Sequence, residues 1–157
     1  MATTAAPTTA ARTTEAPTTT TATGLAANVL TVSGSVTATM HEDRNYVAIG
    51  CDTRADNSVN GFTSFAADGT KYVLQFSISA GSYTLPDPAS KVFVELYVAT
   101  DSTREWSAGT SVSSAAGGAI TFDGTHGMID VDMLPDTPSP NPALAPIHVT
   151  GTFDCPS

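Results

Sequence analysis

The chain has 157 residues, which is enough for one domain with a single core. Only 13% of the residues are charged and 41% are hydrophobic, so threonine and serine supply most of the polarity, a composition that favours β-structure. The formal net charge of −9, with no lysine or arginine cluster, argues against nucleic-acid binding and against direct adsorption to an anionic membrane.

Residues 1–24 form a low-complexity segment. Between Ala2 and Thr23 there are eleven threonines and two prolines, and nearly all the rest are alanine. Such a segment cannot bury apolar surface, so we predict a disordered stalk or tether, with an interdomain linker as the alternative. Tracts of this composition are typical of extracellular stalks and of O-glycosylated segments. Residues 25–157 are predicted to form the folded domain.

Strand-like alternation begins after the tether. Residues 30–40 alternate apolar or small residues with threonine and serine, which predicts one strand with a buried face and a hydroxyl-covered face. Residues 41–44 are predicted as a hairpin loop and the sequence NYVAIGC as the return strand. In the turn-rich stretch that follows, Asn60-Gly61 and Asp68-Gly69 are the strongest turn signals.

The middle of the chain contains the most apolar runs, KYVLQFSIS and KVFVELYVAT. Both alternate with period two and are predicted as strands. Their predicted core residues are Tyr72, Leu74, Phe76, Ile78, Val92, Val94, Leu96 and Val98. The intervening GSYTLPDPAS is predicted as a loop, because Pro86 and Pro88 break strand pairing.

The last third of the chain is predicted to contain three strands. SAGTSVSSAAGG is predicted as a mobile loop or a poorly formed edge strand. AITFDG and GMIDVDML are predicted as strands around Asp123-Gly124, and PDTPSPNPALAP as a crossover before a final strand, IHVTGTFDC. No segment shows helical periodicity over ten residues. Seven to eight short strands predict an all-β fold, either a sandwich or a barrel. The proline-rich crossover favours an antiparallel β-sandwich.

Cys51 and Cys155 are predicted to form a disulfide. Each ends a predicted strand on its core-facing phase, and the chain has no other cysteine. The bridge would close a loop of about 100 residues, for which chain entropy gives about 4–5 kcal/mol of stabilisation. The alternative is a pair of buried thiols in a reducing compartment. A zinc site is not predicted, because two cysteines and three scattered histidines lack ligand spacing.

No motif in the sequence indicates catalysis, so we predict a non-enzymatic protein without a cofactor. There is no G-x-S-x-G sequence, and His41, His126 and His148 are predicted as solvated surface residues rather than general bases. The carboxylates Asp130, Asp132 and Asp136 on and after one strand are candidate calcium ligands. The alternative is a solvated acidic face.

Three aromatic residues are candidates for a ligand or partner surface. Trp106 in STREWSAG, together with Tyr97 and Tyr83, would offer rings for stacking against a sugar or a lipid tail. The alternative is that Trp106 belongs to the core.

Several short motifs resemble the mycobacterial LpqH-type lipoprotein antigens. They are the opening strand VSGSVTAT, the DGTH turn before a strand ending in VDM, the Pro/Asn crossover and a terminal strand closing on a cysteine. In that family a lipidated cysteine precedes a Thr/Ala/Ser-rich tether and a small disulfide-bonded β-domain, whose first cysteine lies in the opening strand rather than at a position like Cys51. The resemblance implies a surface antigen of the actinobacterial envelope, anchored by lipid in its precursor, and no catalytic residue.

Two functions fit these features, and a third is weighed against them. The first is a displayed domain that contacts an unknown protein or glycan at the cell surface through loops 52–70 and 135–146. The second is a carrier that holds a lipid or sugar between its sheets, where small residues would leave room (Gly34, Ala38, Ala48 and Gly50). A small secreted hydrolase would require titratable groups clustered in a cleft, and none is expected.

Overall fold

The computed structural model describes residues 28–45, 50–86, 89, 92–109, 116–136 and 144–155. These ranges contain eleven strands and no helix that could span a membrane. The predicted tether, residues 1–24, lies outside them. The strands are β1 (Val29–Gly34), β2 (Ala38–Glu42), β3 (Gly50–Thr53), β4 (Val59–Ala67), β5 (Thr70–Ile78), β6 (Gly81–Leu85), β7 (Phe93–Val98), β8 (Asp101–Gly109), β9 (Gly118–Phe122), β10 (His126–Pro135) and β11 (Ile147–Asp154).

Eight of these strands close into an antiparallel barrel. The ring runs β11-β1-β2-β4-β5-β7-β8-β10, and pairing of β10 with β11 completes it. The predicted all-β class is confirmed, but the predicted sandwich is wrong. The reason lies at two corners, where residues 41–42 pair with 65–66 and residues 106–107 pair with 134–135. These short ladders join what would otherwise be two separate sheets.

Three strands lie outside the ring and widen one end of it. β9 pairs with the first half of β10, β6 pairs with β9, and β3 pairs with the first half of β4. The rings of Phe76, Phe122 and Phe153, from β5, β9 and β11, meet in the interior at centroid distances of 4.8 to 6.0 Å. At this end the barrel therefore opens into two facing layers with an aromatic cluster between them.

The predicted disulfide between Cys51 and Cys155 is confirmed. It joins β3 to the residue after β11, across a sequence separation of 104, with the two Cα atoms 5.6 Å apart. The amide of Cys155 also donates a hydrogen bond of 2.7 Å to the carbonyl of Thr125, in the turn between β9 and β10. The bridge therefore ties the two layers together at the open end of the barrel.

The predicted opening strand, residues 30–40, is two strands. β1 ends at Gly34, whose φ of +110° favours glycine, and β2 returns beside β1 with Leu30 opposite Met40. The alternation of apolar and polar residues continues in the same phase on both sides of the turn, so the sequence pattern does not indicate the turn. Of the predicted return strand NYVAIGC, residues 46–49 lie outside the described residues, and its last two residues begin β3, which pairs with β4.

Of the two strongest turn signals, only Asp68-Gly69 is confirmed. Asp68 and Gly69 have φ of +48° and +75° and connect β4 to β5, as a two-residue hairpin requires. Asn60-Gly61 lies within β4 instead, where Gly61 faces inward against the Phe76 ring and the Cys51 sulfur. Glycine is needed there for close packing rather than for a turn.

One core fills the barrel. The predicted inward residues of β5 and of residues 92–98 are buried, which confirms those two strands. The largest fully buried side chains include Trp106, Phe65, Phe76 and Phe153. The indole Nε1 of Trp106 donates to the carbonyl of Ala145 at 3.0 Å, which satisfies its polar atom. Three strands were not predicted from the sequence: β4, which occupies most of the predicted turn-rich stretch and contact loop 52–70; β6, which ends just before Pro86; and β8.

We predict that Gly61→Ala destabilises the domain by about 1–3 kcal/mol, because the added methyl group would overlap the Phe76 ring and the Cys51 sulfur. Gly50→Ala, on the neighbouring strand β3, is the matched control, since a methyl group there meets no atom within 4 Å. Its effect should stay within about 0.5 kcal/mol. Urea unfolding of the two oxidised variants measures the difference, and equal midpoints would contradict the packing described.

Two adjacent buried hydroxyls on β4 differ in their partners. The hydroxyl of Thr63 donates to the carbonyl of Asp154 at 2.7 Å, linking β4 to the end of β11. The hydroxyl of Ser64 is buried and has no hydrogen-bond partner among the described residues. A bonded hydroxyl contributes to stability, whereas an unbonded buried one costs free energy.

Thr63→Val is therefore expected to lower the free energy of unfolding by about 1 kcal/mol, because it leaves the Asp154 carbonyl without its donor. Ser64→Ala should leave stability unchanged or raise it by up to about 1 kcal/mol. Thermal and urea unfolding of the two variants in parallel would test this. A larger loss for Ser64→Ala than for Thr63→Val would show that the hydrogen bonds are wrongly assigned.

Candidate functional site

An exposed methionine stands in a row of hydroxyl side chains on the outer face of the sheet. Four residues lie side by side across β6, β9, β10 and β11, namely Ser82, Thr121, Met128 and Thr152. Met128 is 59% exposed, and among the described residues it is the only large hydrophobic residue that is exposed. The row is therefore a candidate contact surface.

The next row along the same face contains a histidine–carboxylate pair. His126 at the start of β10 lies opposite Asp154 on β11, and Nδ1 of His126 is 2.6 Å from Oδ1 of Asp154. This hydrogen bond and the negative charge of Asp154 raise the pKa of His126 above its ordinary value. The imidazole consequently carries its proton over a wider pH range than a solvated histidine.

The turn between β9 and β10 fixes the position of His126. Oδ1 of Asp123 accepts hydrogen bonds from the amides of Thr125 at 2.8 Å and His126 at 2.6 Å. These amide bonds lower the pKa of Asp123, so its carboxylate stays charged at neutral pH. The arrangement is an Asx turn, which is favoured where an aspartate is followed by a glycine in the sequence.

These two rows and the turn surround a shallow groove of about 470 Å³. That volume lies within the usual range for small-ligand sites. The lining is largely apolar, Met128 contributes the exposed apolar side chain, and Asp123, His126 and Asp154 form the charged end. The lining residues are Gly81, Ser82, Thr121, Phe122, Asp123, His126, Gly127, Met128, Thr152 and Asp154.

Asp154 is held in place from the other side of the barrel. Its carbonyl accepts the hydroxyl hydrogen bond from buried Thr63, and the next residue, Cys155, is in the disulfide. Arg44 is close enough for its charge to interact with Asp154, but its guanidinium is paired with Glu42 at 2.8 Å. The charged wall of the groove is therefore anchored to both layers.

The predicted calcium candidates do not form one cluster. Asp130 and Asp132 flank His148 instead, with distances of 3.3 Å to its Nε2 and 2.8 Å to its Nδ1. Asp136 lies apart from them, with its amide bonded to the Glu105 carbonyl at 3.1 Å. Within the described ranges, no group of three or more histidine, cysteine, aspartate or glutamate residues is arranged to hold a metal ion.

The predicted aromatic surface is not assembled either. Trp106 is fully buried in the core, so its ring is out of reach of a ligand on the surface. Tyr97 lies on β7, opposite Glu105 of β8. Tyr83 lies on β6, opposite Ile120 of β9, and its hydroxyl donates to the carbonyl of Ser79 at 2.9 Å. Trp106 is therefore a core residue, which was the alternative prediction for it.

The groove was not predicted from the sequence, because its parts come from four strands. No titratable cluster in a cleft was expected, yet Asp123, His126 and Asp154 line one. Two signals were available: Met128 falls on the outward phase of β10, and antiparallel pairing of the last two strands brings the start of one beside the end of the other. Neither signal reveals β6 and β9 as neighbours.

Comparison with known protein families, curated proteins and solved structures finds no significant match to this chain. The function of the groove therefore has to be inferred from its own chemistry.

A second group of carboxyls lies on β7, β8 and the residue after β10. Glu95 and Glu105 share a hydrogen bond, and Asp136 adds a further acidic group nearby. Partial burial, followed by the hydrogen bond and charge of Glu105, raises the pKa of Glu95 to about 8. Glu95 therefore keeps its proton at neutral pH and donates a hydrogen bond to the carboxyl group of Glu105.

We predict that the free energy of unfolding falls as the pH rises from 4.5 to 8, because of the titration of Glu95. The unfolded chain releases this proton near the ordinary value of 4.5, whereas the folded protein keeps it up to about 8. The stabilisation is complete below pH 4.5 and is lost as the pH rises through 8. Glu95→Gln keeps a neutral donor and should be about 1–2 kcal/mol more stable than the parent at pH 9, after allowance for solvent screening.

Urea unfolding across this pH range measures the slope. Asp52→Asn, an exposed carboxylate on β3, removes the same charge away from the cluster and should keep the slope of the parent. If Glu95→Gln and Asp52→Asn have the same pH profile, Glu95 does not retain its proton as described.

Proposed function

We propose that this protein is a non-enzymatic binding module, displayed outside the cell on its Thr/Ala/Pro-rich N-terminal tether, that engages a partner at the groove. The observation that carries the proposal is the groove in which exposed Met128 lies beside the His126–Asp154 pair, on a sheet face otherwise covered by polar and charged side chains. A largely apolar groove with a polar rim is typical of contact surfaces. The β-barrel beneath provides a rigid support for it.

Binding on the outside is favoured over carriage of a ligand in the interior. The space between the layers is occupied by one buried cluster that includes Trp106, Phe76 and Phe153. Close packing leaves no room for a lipid tail or a sugar unless core side chains move, which would cost several kcal/mol. The groove, in contrast, is lined on the outer face and needs no such rearrangement.

Binding is also favoured over hydrolysis. A hydrolase would need a nucleophile within hydrogen-bond reach of its base. The described residues include no hydroxyl bonded to Nε2 of His126, although Nδ1 is bonded to Asp154 as in a catalytic pair. The pair instead offers charge and a hydrogen-bonding nitrogen at the end of the groove, which serves recognition.

Export and display are supported by two features. The disulfide between Cys51 and Cys155 is stable in an oxidising compartment and not in a reducing one. The composition of residues 1–24 is that of an extracellular stalk. The resemblance to LpqH-type antigens would add a lipid anchor ahead of the tether and a place in an actinobacterial envelope.

Protease treatment of intact cells of the native host tests this function. We expect added protease to cut the tether and release a disulfide-bonded fragment that contains residues 25–157, because the barrel resists cleavage. Non-reducing mass analysis of that fragment should give a mass lower than that of the dithiol by two hydrogen atoms. A cytoplasmic protein left intact in the same cells is the control. Full protection of the chain together with free thiols would overturn the proposal.

A further inference from the structure

We propose that the occupant of the groove is a basic peptide segment of a partner protein, with an apolar side chain on Met128 and a lysine or arginine at Asp154 and Asp123. This inference rests on the proposed binding function and specifies its ligand. It commits to a cationic protein partner rather than to a glycan, a lipid or a nucleic acid.

Met128 and the space beside it provide the apolar contact for the peptide. Methionine is flexible and polarisable, so an exposed one adapts to different apolar side chains. The groove of about 470 Å³ accommodates a few peptide side chains but not a folded element. The hydroxyls of Ser82, Thr121 and Thr152 border it and can hydrogen-bond to peptide backbone.

Charge selects a basic partner. Four carboxylates lie on this face or at its turn, Asp123, Asp130, Asp132 and Asp154, whereas none of the groove-lining residues is lysine or arginine. The basic residues that the structure describes lie on other strands or their loops, namely Arg44, Arg54, Lys71 and Arg104. Arg44 is close enough to interact with Asp154, but its guanidinium is paired with Glu42. With a chain charge of −9, the field at the groove attracts cations and repels phosphates.

The groove offers acceptors to such a cation. Asp123 and Asp154 each use Oδ1 in hydrogen bonds to their own turn and to His126. Their Oδ2 atoms have no hydrogen bond within the described part of the chain. Two carboxylate oxygens at the end of an apolar groove suit a lysine or arginine whose aliphatic stem lies along the apolar lining.

A peptide fits better than a sugar, and the neighbouring strand adds a reason. Phe122 is the aromatic residue of the groove and is only 3% exposed, so there is little ring surface for a sugar to stack on. β6 ends the sheet and is paired only with β9 in the described residues. Strand addition at a sheet edge is a common way for an extended peptide to bind, and among the described residues the outer edge of β6 has no strand beside it.

Fluorescence anisotropy with labelled peptides tests the proposal on the full oxidised chain. The probe is an extended heptapeptide that alternates lysine and leucine. One control peptide has glutamate in place of lysine, and a second has serine in place of leucine. We expect saturable binding of the first peptide alone, weakened by salt because the contacts are electrostatic and exposed. Binding should also strengthen as His126 loses its proton, since the Asp154–Asp123–His126 end then becomes more negative.

Two variants with equal charge change localise the site. Asp154→Asn and Asp132→Asn each remove one carboxylate bonded to a histidine Nδ1, at 2.6 Å and 2.8 Å, but only Asp154 lines the groove. We expect Asp154→Asn to weaken binding about tenfold or more and Asp132→Asn less than about threefold. Met128→Ser, at an exposed position, should weaken binding about tenfold.

Equal effects of Asp154→Asn and Asp132→Asn would indicate unspecific attraction to the acidic surface and would overturn the proposal. Tighter binding of the acidic peptide, or no binding of the basic one, would do the same. Circular dichroism confirms that each variant is folded. Failure here while the protease experiment succeeds refutes the ligand class but not display, whereas failure of the protease experiment refutes display whatever the peptides do.

Discussion

The rest of the structure depends on one constraint at the open end of the barrel, a clamp that consists of the disulfide and three phenylalanine rings. The Cys51–Cys155 bridge and the rings of Phe76, Phe122 and Phe153 hold β3, β4 and β5 against β9, β10 and β11 at the end where three strands leave the ring. Corner pairing of two residues on each side would be a weak connection by itself. A covalent link across 104 residues restricts the unfolded chain, and the rings exclude water from the gap.

The same clamp builds the groove, because the end of β11 serves both. The carbonyl of Asp154 is bonded to Thr63 across the interior, its carboxylate is bonded to His126 on the outer face, and its neighbour Cys155 is in the bridge. The stability of the domain and the geometry of the groove are therefore coupled through Asp154. Loss of the disulfide would be transmitted to the groove through the peptide bond between Asp154 and Cys155.

How much the sequence predicts depends on whether a property is local. Period-two alternation located β5, the 92–98 strand, β9, β10 and β11, and the inward phase of Cys51 and Cys155 led to the bridge. Closure of the barrel depends on pairing between distant residues such as 42 with 65, which leaves no local pattern. The turn after Gly34 is hidden because alternation resumes in the same phase beyond it. The turn predicted at Gly61 was wrong for a related reason, since the Phe76 ring that requires a glycine there is 15 positions away in the sequence.

The outer face combines hydrated polar side chains with one exposed apolar side chain, that of Met128. Hydroxyls and carboxylates keep the sheet hydrated, and an apolar residue in their midst gains free energy when a partner covers it. Met128 lies beside the His126–Asp154 pair, and Asp154 is bonded to Thr63 of the opposite layer. A partner that covers the methionine and neutralises Asp154 gains from both contacts without ordering the site, because the barrel has already ordered it. Rigid support beneath a small mixed contact is thus the physical reason to regard this face as the one that binds.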